Sequence, residues 1–270
     1  MLGALGGDII GSIYEGHNIK SKKFPLFGNN NRFTDDSVMT CAIANAAVSY
    51  SKFKDYDRFR QSCINNMQYL GRTHLNAGYG GRFINWIVSQ NPQPYNSYGN
   101  GSAMRVSSVA YVADSLEEAE KLAEVSAEVT HNHPDGIAGA KVVAGSIWLL
   151  LNGSSKEEVR NYAKNFYNVD FKLDDIRDNY RFDVSCKGSV PQAIVAFLEG
   201  KDYEDTVRNA ISIGGDSDTI AAIAGGIAEA YYGIPKEIED KIISYLDPYL
   251  LSSLNKFVAR NKDFSNEMHM

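Results

Sequence analysis

The sequence contains little cysteine and no paired cysteine motif. Its 270 residues include three cysteines, Cys41, Cys63 and Cys186, and no two of them are spaced as CxxC. An odd and sparse set of this kind indicates free thiols rather than a disulfide framework. Because free thiols persist in a reducing compartment, we expect a cytoplasmic protein.

Long apolar runs and an excess of basic residues are also missing. Outside the N-terminal stretch, the longest apolar run is Val142 to Leu151, which is far shorter than the ~20 residues of a membrane span. The apolar N-terminal stretch contains Asp8 and has no lysine before Lys20, unlike a secretory signal peptide. The formal net charge is −6, which disfavours a nucleic-acid groove. We therefore expect neither membrane nor nucleic acid as a partner.

Strand-like alternation is absent as well, and helical spacing dominates. Ser115 and Ser155 each stand three residues before a glutamate, a pattern typical of a helix start. Other segments with helical spacing are 35–50, 55–70, 81–90, 103–113, 136–151, 190–200, 203–212, 217–232 and 236–246. Together they predict one compact all-α domain over residues 1–270, with roughly ten helices. Long loops are expected near 16–33, 91–102 and 168–188, and loops of such length are usually functional.

Small residues recur in two of the predicted helices. They are Gly3, Ala4, Gly6, Gly7 and Gly11 in the first, and Ala221, Ala222, Gly225 and Gly226 in the segment 217–232. Glycine is costly inside a helix, so its repetition indicates close backbone approach. We expect these two helices to lie together at the centre of the bundle.

Two clusters of oxygen-bearing side chains each open a core helix. One is Thr34-Asp35-Asp36, and the other is Asp216-Ser217-Asp218-Thr219, after which the next basic residue is Lys236. Taken singly, each cluster could simply cap its helix. Taken together between packed helices, the four carboxylates would repel one another unless a cation joins them. Carboxylates and hydroxyls without nearby His or Cys favour Mg²⁺ or Mn²⁺ over Zn²⁺.

Two other acidic motifs can be compared with these clusters. An EF-hand loop beginning at Asp216 would need glycine at Ala221 and glutamate at Ile227, so that motif is absent. Prenyl-pyrophosphate enzymes carry a motif that resembles Asp-Asp-x-x-Asp, but Met39 stands at the last position here. A different Mg²⁺-dependent all-α enzyme acting on pyrophosphates stays open as an alternative.

Three further stretches carry candidate chemistry. The glycine-rich stretch from Ser97 to Arg105 opens a helix and could cradle a phosphate with backbone N–H groups. His131 and His133 precede another helix rich in small residues, and His131 is the better candidate for a functional group. Glu15 follows the first helix and could equally be an exposed charge at a helix end.

These segments, in this order, resemble the ADP-ribosylglycohydrolase family. The resemblance rests on GALGGDIIGSIYEG, FTDDSVMT, YGNGSAMR, THNHPDGIAGA, CKGSVPQAIVAFLEG and GGDSDTIAAIAGGIAEAYYG, and covers Gly3 to about Gly233. It implies a compact orthogonal multi-helix bundle with a central two-metal cleft. The cofactors implied are two Mg²⁺ or Mn²⁺ ions.

The resemblance also assigns candidate roles to residues. The implied metal ligands are Thr34, Asp35, Asp36, Asp216, Asp218 and Thr219. The implied contacts to ADP-ribose are Tyr98, Gly99, Asn100, Gly101, Ser102, His131, Gly188, Ser189 and Val190. The candidate catalytic residues are Glu15, Asp36 and Asp218, whereas Asp8 is left outside the site. Tyr180 and Phe182 could stack on adenine or belong to the core.

The implied activity is metal-dependent hydrolysis of the glycosidic bond between ADP-ribose and a protein side chain or small conjugate. N-linked ADP-ribosyl-arginine is favoured over serine or O-acetyl linkage, because the short chain resembles the reductase-activating glycohydrolases. The alternative is a module that binds ADP-ribose without hydrolysing it. We expect the protein to act as a monomer.

Overall fold

The structure is a computed structural model that describes the backbone of residues 1–267 and the side chains of residues 1–261. Helices account for its regular structure, and no strand occurs within the described backbone. The helices are α1 (Leu2–Gly11), α2 (Asp35–Phe53), α3 (Tyr56–Thr73), α4 (Gly81–Val88), α5 (Gly101–Met104), α6 (Leu116–Glu128), α7 (Pro134–Leu151), α8 (Lys156–Ala163), α9 (Leu173–Ile176), α10 (Cys186–Glu199), α11 (Tyr203–Ser212), α12 (Ser217–Tyr232), α13 (Lys236–Tyr245) and α14 (Pro248–Glu267). The predicted all-α class is confirmed.

Local capping explains where several helices begin. The Ser155 hydroxyl accepts from Glu158 N, and the Glu158 carboxylate accepts from Ser155 N, so both halves of the capping box are present. At α6 only the first half forms, because the Glu118 carboxylate accepts from Asp114 N instead. His133 caps α7, and Pro134 occupies its first position, where a missing N–H costs nothing.

The predicted helix 103–113 is wrong as one element. The chain forms the single turn α5, then a 3₁₀ turn over Ser107–Tyr111. Between them, Arg105 and Val106 have φ/ψ of −94°/−7° and −85°/−12°, which interrupts the α-helical course. The interruption leaves Arg105 with its guanidinium against Ser126 O.

Helices α1 and α12 lie in backbone contact at the centre of the bundle. A Cβ added to Gly3 would collide with the carbonyl oxygen of Gly225, and one added to Gly7 would collide with that of Ala221. At Gly11 the same atom would lie 2.5 Å from Asp218 Cα. The predicted central pairing of the two glycine-rich helices is therefore confirmed.

The other helices pack around this pair. Helix α2 packs against α1, α3 and α14, while α7, α10 and α11 each pack against α12. Among the described residues one helix, Pro134–Leu151, has the length and apolar composition that a membrane span requires, and 56% of it is buried inside the bundle. The contacts of α7 with α6 and α12 account for that burial.

Candidate functional site

The two predicted acidic clusters meet beside α1. Asp36 comes from the start of α2, Asp218 from the start of α12, and Asp8 from within α1. One carboxylate oxygen from each lies within 4.8 Å of the others, and all three residues are buried. Asp218 also belongs to a second group of the same spacing, with Asp216 and Glu15. The structure thus brings together carboxylates that are far apart in sequence, such as Asp36 and Asp218, which are separated by 182 positions.

Asp8 belongs to this cluster although we left it out at the sequence level. Its carboxylate accepts hydrogen bonds from Thr34 N at 2.9 Å, Thr34 Oγ1 at 2.7 Å and Ser37 N at 3.1 Å, and from the Ser37 hydroxyl. It thereby ties the end of the loop before α2 to the central helix. The available signal was its position as the only charged residue in α1.

The hydroxyls of Thr34 and Thr219 flank Asp36. Thr219 Oγ1 donates to Asp36 Oδ2 at 3.1 Å, and Thr34 Oγ1 lies 3.4 Å from the same oxygen. The other oxygen, Asp36 Oδ1, is buried and has no hydrogen-bond partner among the described residues. A buried carboxylate oxygen without a donor is costly, so this atom is available to an incoming cation.

The clusters carry negative charge that no side chain neutralises. Within the described residues, none of the carboxylates of Asp8, Asp35, Asp36, Asp216 and Asp218 forms a salt bridge. Burial, followed by repulsion from Asp218, raises the pKa of Asp36 well above its usual range. Burial and the Asp216 charge do the same for Asp218. Burial and the Asp8 charge raise the pKa of Asp35 to about 7.

This donor set fits a divalent cation that prefers oxygen. It offers carboxylates and hydroxyls at short mutual distance, one of them with an orphaned oxygen, and neither His nor Cys belongs to either group. Mg²⁺ and Mn²⁺ take such ligands. A cation would also remove the repulsion that raises these pKa values.

Glu15 is held near Asp216 by the loop that follows α1. Asn18 Oδ1 accepts from Gly215 N at 2.8 Å, and Asn18 Nδ2 donates to Gly215 O at 2.9 Å and Tyr14 O at 2.8 Å. Lys20 Nζ donates to the carbonyls of Ile213 and Tyr180. Partial desolvation, together with the Asp216 charge, raises the pKa of Glu15 above its usual value.

The carboxylates open into a cleft of about 490 Å³. Ten of the residues singled out in the sequence line it: Glu15, Asp35, Asp36, Gly99, Asn100, Gly101, His131, Asp216, Asp218 and Thr219. A cavity of this size matches the usual volume of a small-molecule site. Gly78, Gly80 and Arg82 complete one wall, and nothing in their local sequence pattern had marked them.

Asn100 links the glycine-rich loop to the acidic cluster. Its Nδ2 donates to Asp216 Oδ2 at 2.7 Å and to Ser189 Oγ at 3.0 Å. Its backbone N–H donates to Val184 O at 2.7 Å, and Gly99 N–H donates to Ser97 Oγ. Two backbone donors of the expected phosphate cradle are therefore used within the protein.

Six other predicted residues do not line the cleft, and five of them are engaged elsewhere. The Ser102 hydroxyl donates to Gly136 O at 2.7 Å, and the exposed Tyr98 ring packs against His133. Ser189 Oγ donates to Asp183 O, while Gly188 O accepts from the Tyr180 hydroxyl. The sixth, Val190, is buried in the core. Thr34 faces Asp8 and Asp36, as described above.

The two aromatic candidates for adenine separate in the structure. Phe182 is 54% exposed and lines the cleft, so it is available to a planar ligand. Tyr180 instead packs over Gly215, where an added Cβ would collide with its ring. Tyr180 therefore supports the turn that carries Asp216.

Comparison with known proteins places the chain in one family. Residues 1–263 match the family model described as ADP-ribosylglycohydrolase. The chain belongs to the ADP-ribosylglycohydrolase family. This membership confirms the resemblance read from the sequence motifs and makes the protein a hydrolase.

The chain resembles individual members of the family at modest sequence identity. The chain is 28% identical to "ADP-ribosylhydrolase ARH3" of Homo sapiens, over 87% of this chain and 84% of that protein. It is 26% identical to "ADP-ribosylarginine hydrolase Tri1" of Pseudomonas putida (strain GB-1), over 78% of this chain and 62% of that protein. A solved structure titled "ADP-ribosylglycohydrolase-related protein complex" matches the fold with a TM-score of 0.69 at 22% identity, covering 96% of this chain and 97% of that one.

Proposed function

We propose that the protein is a metal-dependent hydrolase that releases ADP-ribose from N-linked ADP-ribosyl-arginine in proteins. The observation that supports this most is the pair of carboxylate groups that share Asp218 and open into one cleft. The same cleft is also lined by the guanidinium donors of Arg82 and Arg105 and by the exposed ring of Phe182. We call the part lined by the carboxylates of Asp35, Asp36, Asp216 and Asp218 the acidic end, and the part lined by the glycine-rich loop, His131 and Arg105 the donor end. Such a cleft suits a ligand that has a hydroxyl-bearing sugar and phosphates.

In this proposal two Mg²⁺ or Mn²⁺ ions are held by Thr34, Asp35, Asp36, Asp216, Asp218 and Thr219. When bound, they supply electrophilic polarisation of ribose hydroxyls and an ordered water. Asp8 stays behind Thr34, whose hydroxyl proton it accepts. Thr34 Oγ1 accepts from Asp36 N at 3.4 Å, so one of its two lone pairs remains available to an ion.

Glu15 carries the proton in the proposed reaction. It accepts a proton from the attacking water while the water oxygen bonds to the anomeric carbon and the carbon–nitrogen bond to the guanidine breaks. The proton then passes to the departing nitrogen, so that ADP-ribose and unmodified arginine result. A carboxylate with a raised pKa beside developing positive charge on the sugar suits both transfers.

The acidic surroundings favour arginine as the released group. A guanidinium is cationic, and Glu15, which lines the cleft and is not one of the proposed metal ligands, offers it a carboxylate, whereas serine brings no charge. The name of one relative, ADP-ribosylarginine hydrolase Tri1, states the same linkage for that protein. Serine-linked and O-acetyl-linked ADP-ribose remain the alternative substrates, and binding without hydrolysis is the alternative function.

The test is release of free ADP-ribose from matched ADP-ribosyl-arginine and ADP-ribosyl-serine peptides, with Mg²⁺, with Mn²⁺ and with EDTA. Metal-dependent release from the arginine peptide supports the proposal. Release from the serine peptide alone would overturn the linkage, and full activity in EDTA would overturn the metal requirement. ADP-ribose binding with no release from either peptide would favour the binding module.

Two wider features belong to the same proposal. A cytoplasmic location is supported by the three cysteines, all of which are free and buried. Action as a monomer is part of the same proposal. The macromolecular partner is then the ADP-ribosylated protein itself.

A further inference from the structure

The cleft contains a buried cation, Arg105, that forms no salt bridge with any carboxylate of the described residues. Arg105 is 1% exposed, and its guanidinium donates to two uncharged oxygens, Ser126 O at 2.9 Å and Thr130 Oγ1 at 2.9 Å. Its Nε has no hydrogen-bond partner among the described residues. Buried arginine is usually paired with an anion, so this arrangement calls for a functional reason.

Thr130 connects Arg105 to His131 through hydrogen bonds. The threonine is fully buried, and its hydroxyl oxygen lies 2.7 Å from His131 Nδ1. Because Arg105 donates to Thr130 Oγ1, the threonine proton is free to donate to Nδ1. If Nδ1 carried the proton instead, two donors would face one oxygen, and the buried Thr130 proton would lack an acceptor among the described residues.

Hydrogen-bond accounting therefore puts the imidazole proton on Nε2. That atom faces the glycine-rich loop, because a Cβ added to Gly101 would lie 3.2 Å from it and one added to Gly99 would lie 3.5 Å away. His131 lines the cleft, and Nε2 has no protein partner within the described residues. The Nε2–H donor therefore faces Gly99 and Gly101, which have no side chains that would block it.

The charged and titratable groups around His131 agree with a neutral ring. Burial, followed by the charges of Arg105 and Arg82, lowers the pKa of His131 well below its usual value. Its other titratable neighbour is Tyr95, whose ring centroid is 6.1 Å away and whose own pKa burial raises. No carboxylate near His131 contributes to its pKa.

We infer that Arg105 and Thr130 are positioning residues that fix His131 as a neutral imidazole whose Nε2–H donates to an acceptor oxygen of the ligand. The inference rests on the proposed function for the identity of that ligand, ADP-ribose. By the relay we mean the hydrogen bonds from Arg105 to Thr130 and from Thr130 to His131, and these require neither a bound metal nor turnover. A neutral donor here holds an acceptor in place and takes no part in proton transfer, which remains with Glu15.

The first test reads the tautomer directly in metal-free protein. Long-range ¹⁵N–¹H correlation spectra distinguish Nδ1–H, Nε2–H and doubly protonated rings, and His131→Asn identifies the signal among the five histidines. We expect a single Nε2–H pattern that persists from pH 6 to pH 8. A protonated Nδ1 in this range, on a neutral or a charged ring, would overturn the inference even if the protein hydrolyses its substrate.

The second test uses a matched pair of variants at Thr130. Thr130→Val keeps the shape but removes the hydroxyl, so His131 should lose its single tautomer and ADP-ribose should bind about three- to tenfold more weakly. In turnover, KM should rise while kcat changes little. Thr130→Ser restores the hydroxyl and should restore both the spectrum and the affinity.

Folding is checked by thermal melts of both variants. A Thr130→Val protein that melts cooperatively but keeps the wild-type His131 spectrum and affinity would contradict the relay. If Thr130→Val does not fold, Thr130→Ser and the wild-type spectrum still decide the tautomer. Hydrolysis that fails while the wild-type spectrum shows Nε2–H would instead count against the proposed function alone.

Discussion

The acidic end and the donor end of the cleft are opposite in charge, and each lacks its counter-charge. At the acidic end, Asp8, Asp36 and Asp218 lie within 4.8 Å of one another without a cationic side chain. At the donor end, Arg105 is buried without a carboxylate. Asn100 belongs to the glycine-rich loop of the donor end, and its Nδ2 donates to Asp216 Oδ2 at the acidic end.

This arrangement fits the proposal that the charges serve a ligand rather than the stability of the fold. Buried charges lose hydration and are normally compensated by a partner in the same protein. Here Arg105 and the aspartates line one cleft without pairing with each other. Metal ions at the acidic end would compensate the aspartates, and an acceptor-rich ligand at the donor end would compensate Arg105.

The largest expected effect comes from Asp218, which both carboxylate groups share. Asp218→Asn removes one charge and should lower kcat/KM by at least about 10³-fold, since metal activation contributes several kcal/mol. In EDTA the variant should melt no lower than wild type, because repulsion at the acidic end is relieved. Turnover assays measure the loss of kcat/KM, and thermal melts in EDTA measure the stability. A folded variant with the wild-type rate would refute the assignment of Asp218 as a metal ligand.

Glu15→Gln should give the next largest loss. It keeps the shape of the side chain but cannot accept a proton, so kcat should fall by about 10²- to 10³-fold. ADP-ribose affinity, measured by calorimetry, should stay close to wild type. Glu157→Gln, on the exposed first turn of α8, is the matched control and should leave both quantities unchanged.

At the donor end, Gly101→Val should act on binding. Its Cβ would lie 3.2 Å from His131 Nε2, and the branched methyls would crowd the imidazole further. We expect ADP-ribose to bind about tenfold more weakly, the loss of roughly one hydrogen bond and some contact area. Gly16→Ala, where an added Cβ meets nothing within 4 Å, is the control; equal affinities for all three proteins would rule out the loop as a ligand contact.

The smallest effect is a pH dependence of stability that metal should abolish. Raised pKa values, such as that of Asp35 at about 7, mean that the folded metal-free protein binds more protons than the unfolded chain. Stability therefore falls as pH rises from about 4 to 7, an effect that melts in EDTA from pH 5 to pH 8 should show. Saturating Mg²⁺ or Mn²⁺ should flatten the curve, and an equal slope with and without metal would contradict the site.

The sequence predicted the parts of the site that are local. Thr34, Asp35 and Asp36 open α2, and Asp216, Asp218 and Thr219 open α12, so each cluster is visible in a short window. Their convergence follows from two contacts of α1. Its glycines lie against α12, which the repeated small residues predict, and its Asp8 accepts hydrogen bonds from Thr34 at the start of α2.

Residues whose role depends on side-chain direction could not be predicted in the same way. Ser102 and Tyr98 belong to the glycine-rich stretch but turn to Gly136 and His133. Asp8 sits in a helix interior, where one aspartate carries no pattern, and its role emerges only when Thr34 and Ser37 fold against it. Arg105 is part of the same motif, yet its link to Thr130 crosses to the end of another helix.

The glycine contact between α1 and α12 has a consequence for motion. Packed helices slide when interlocking side chains change rotamer, but Gly3, Gly7 and Gly11 place backbone directly on backbone. No rotamer is available there to absorb a shift, so α1 and α12 move as one piece and hold Asp8 and Asp218 at a fixed separation. Adjustment to a bound molecule is then left to other parts of the cleft lining, such as residues 80–83 and Phe182.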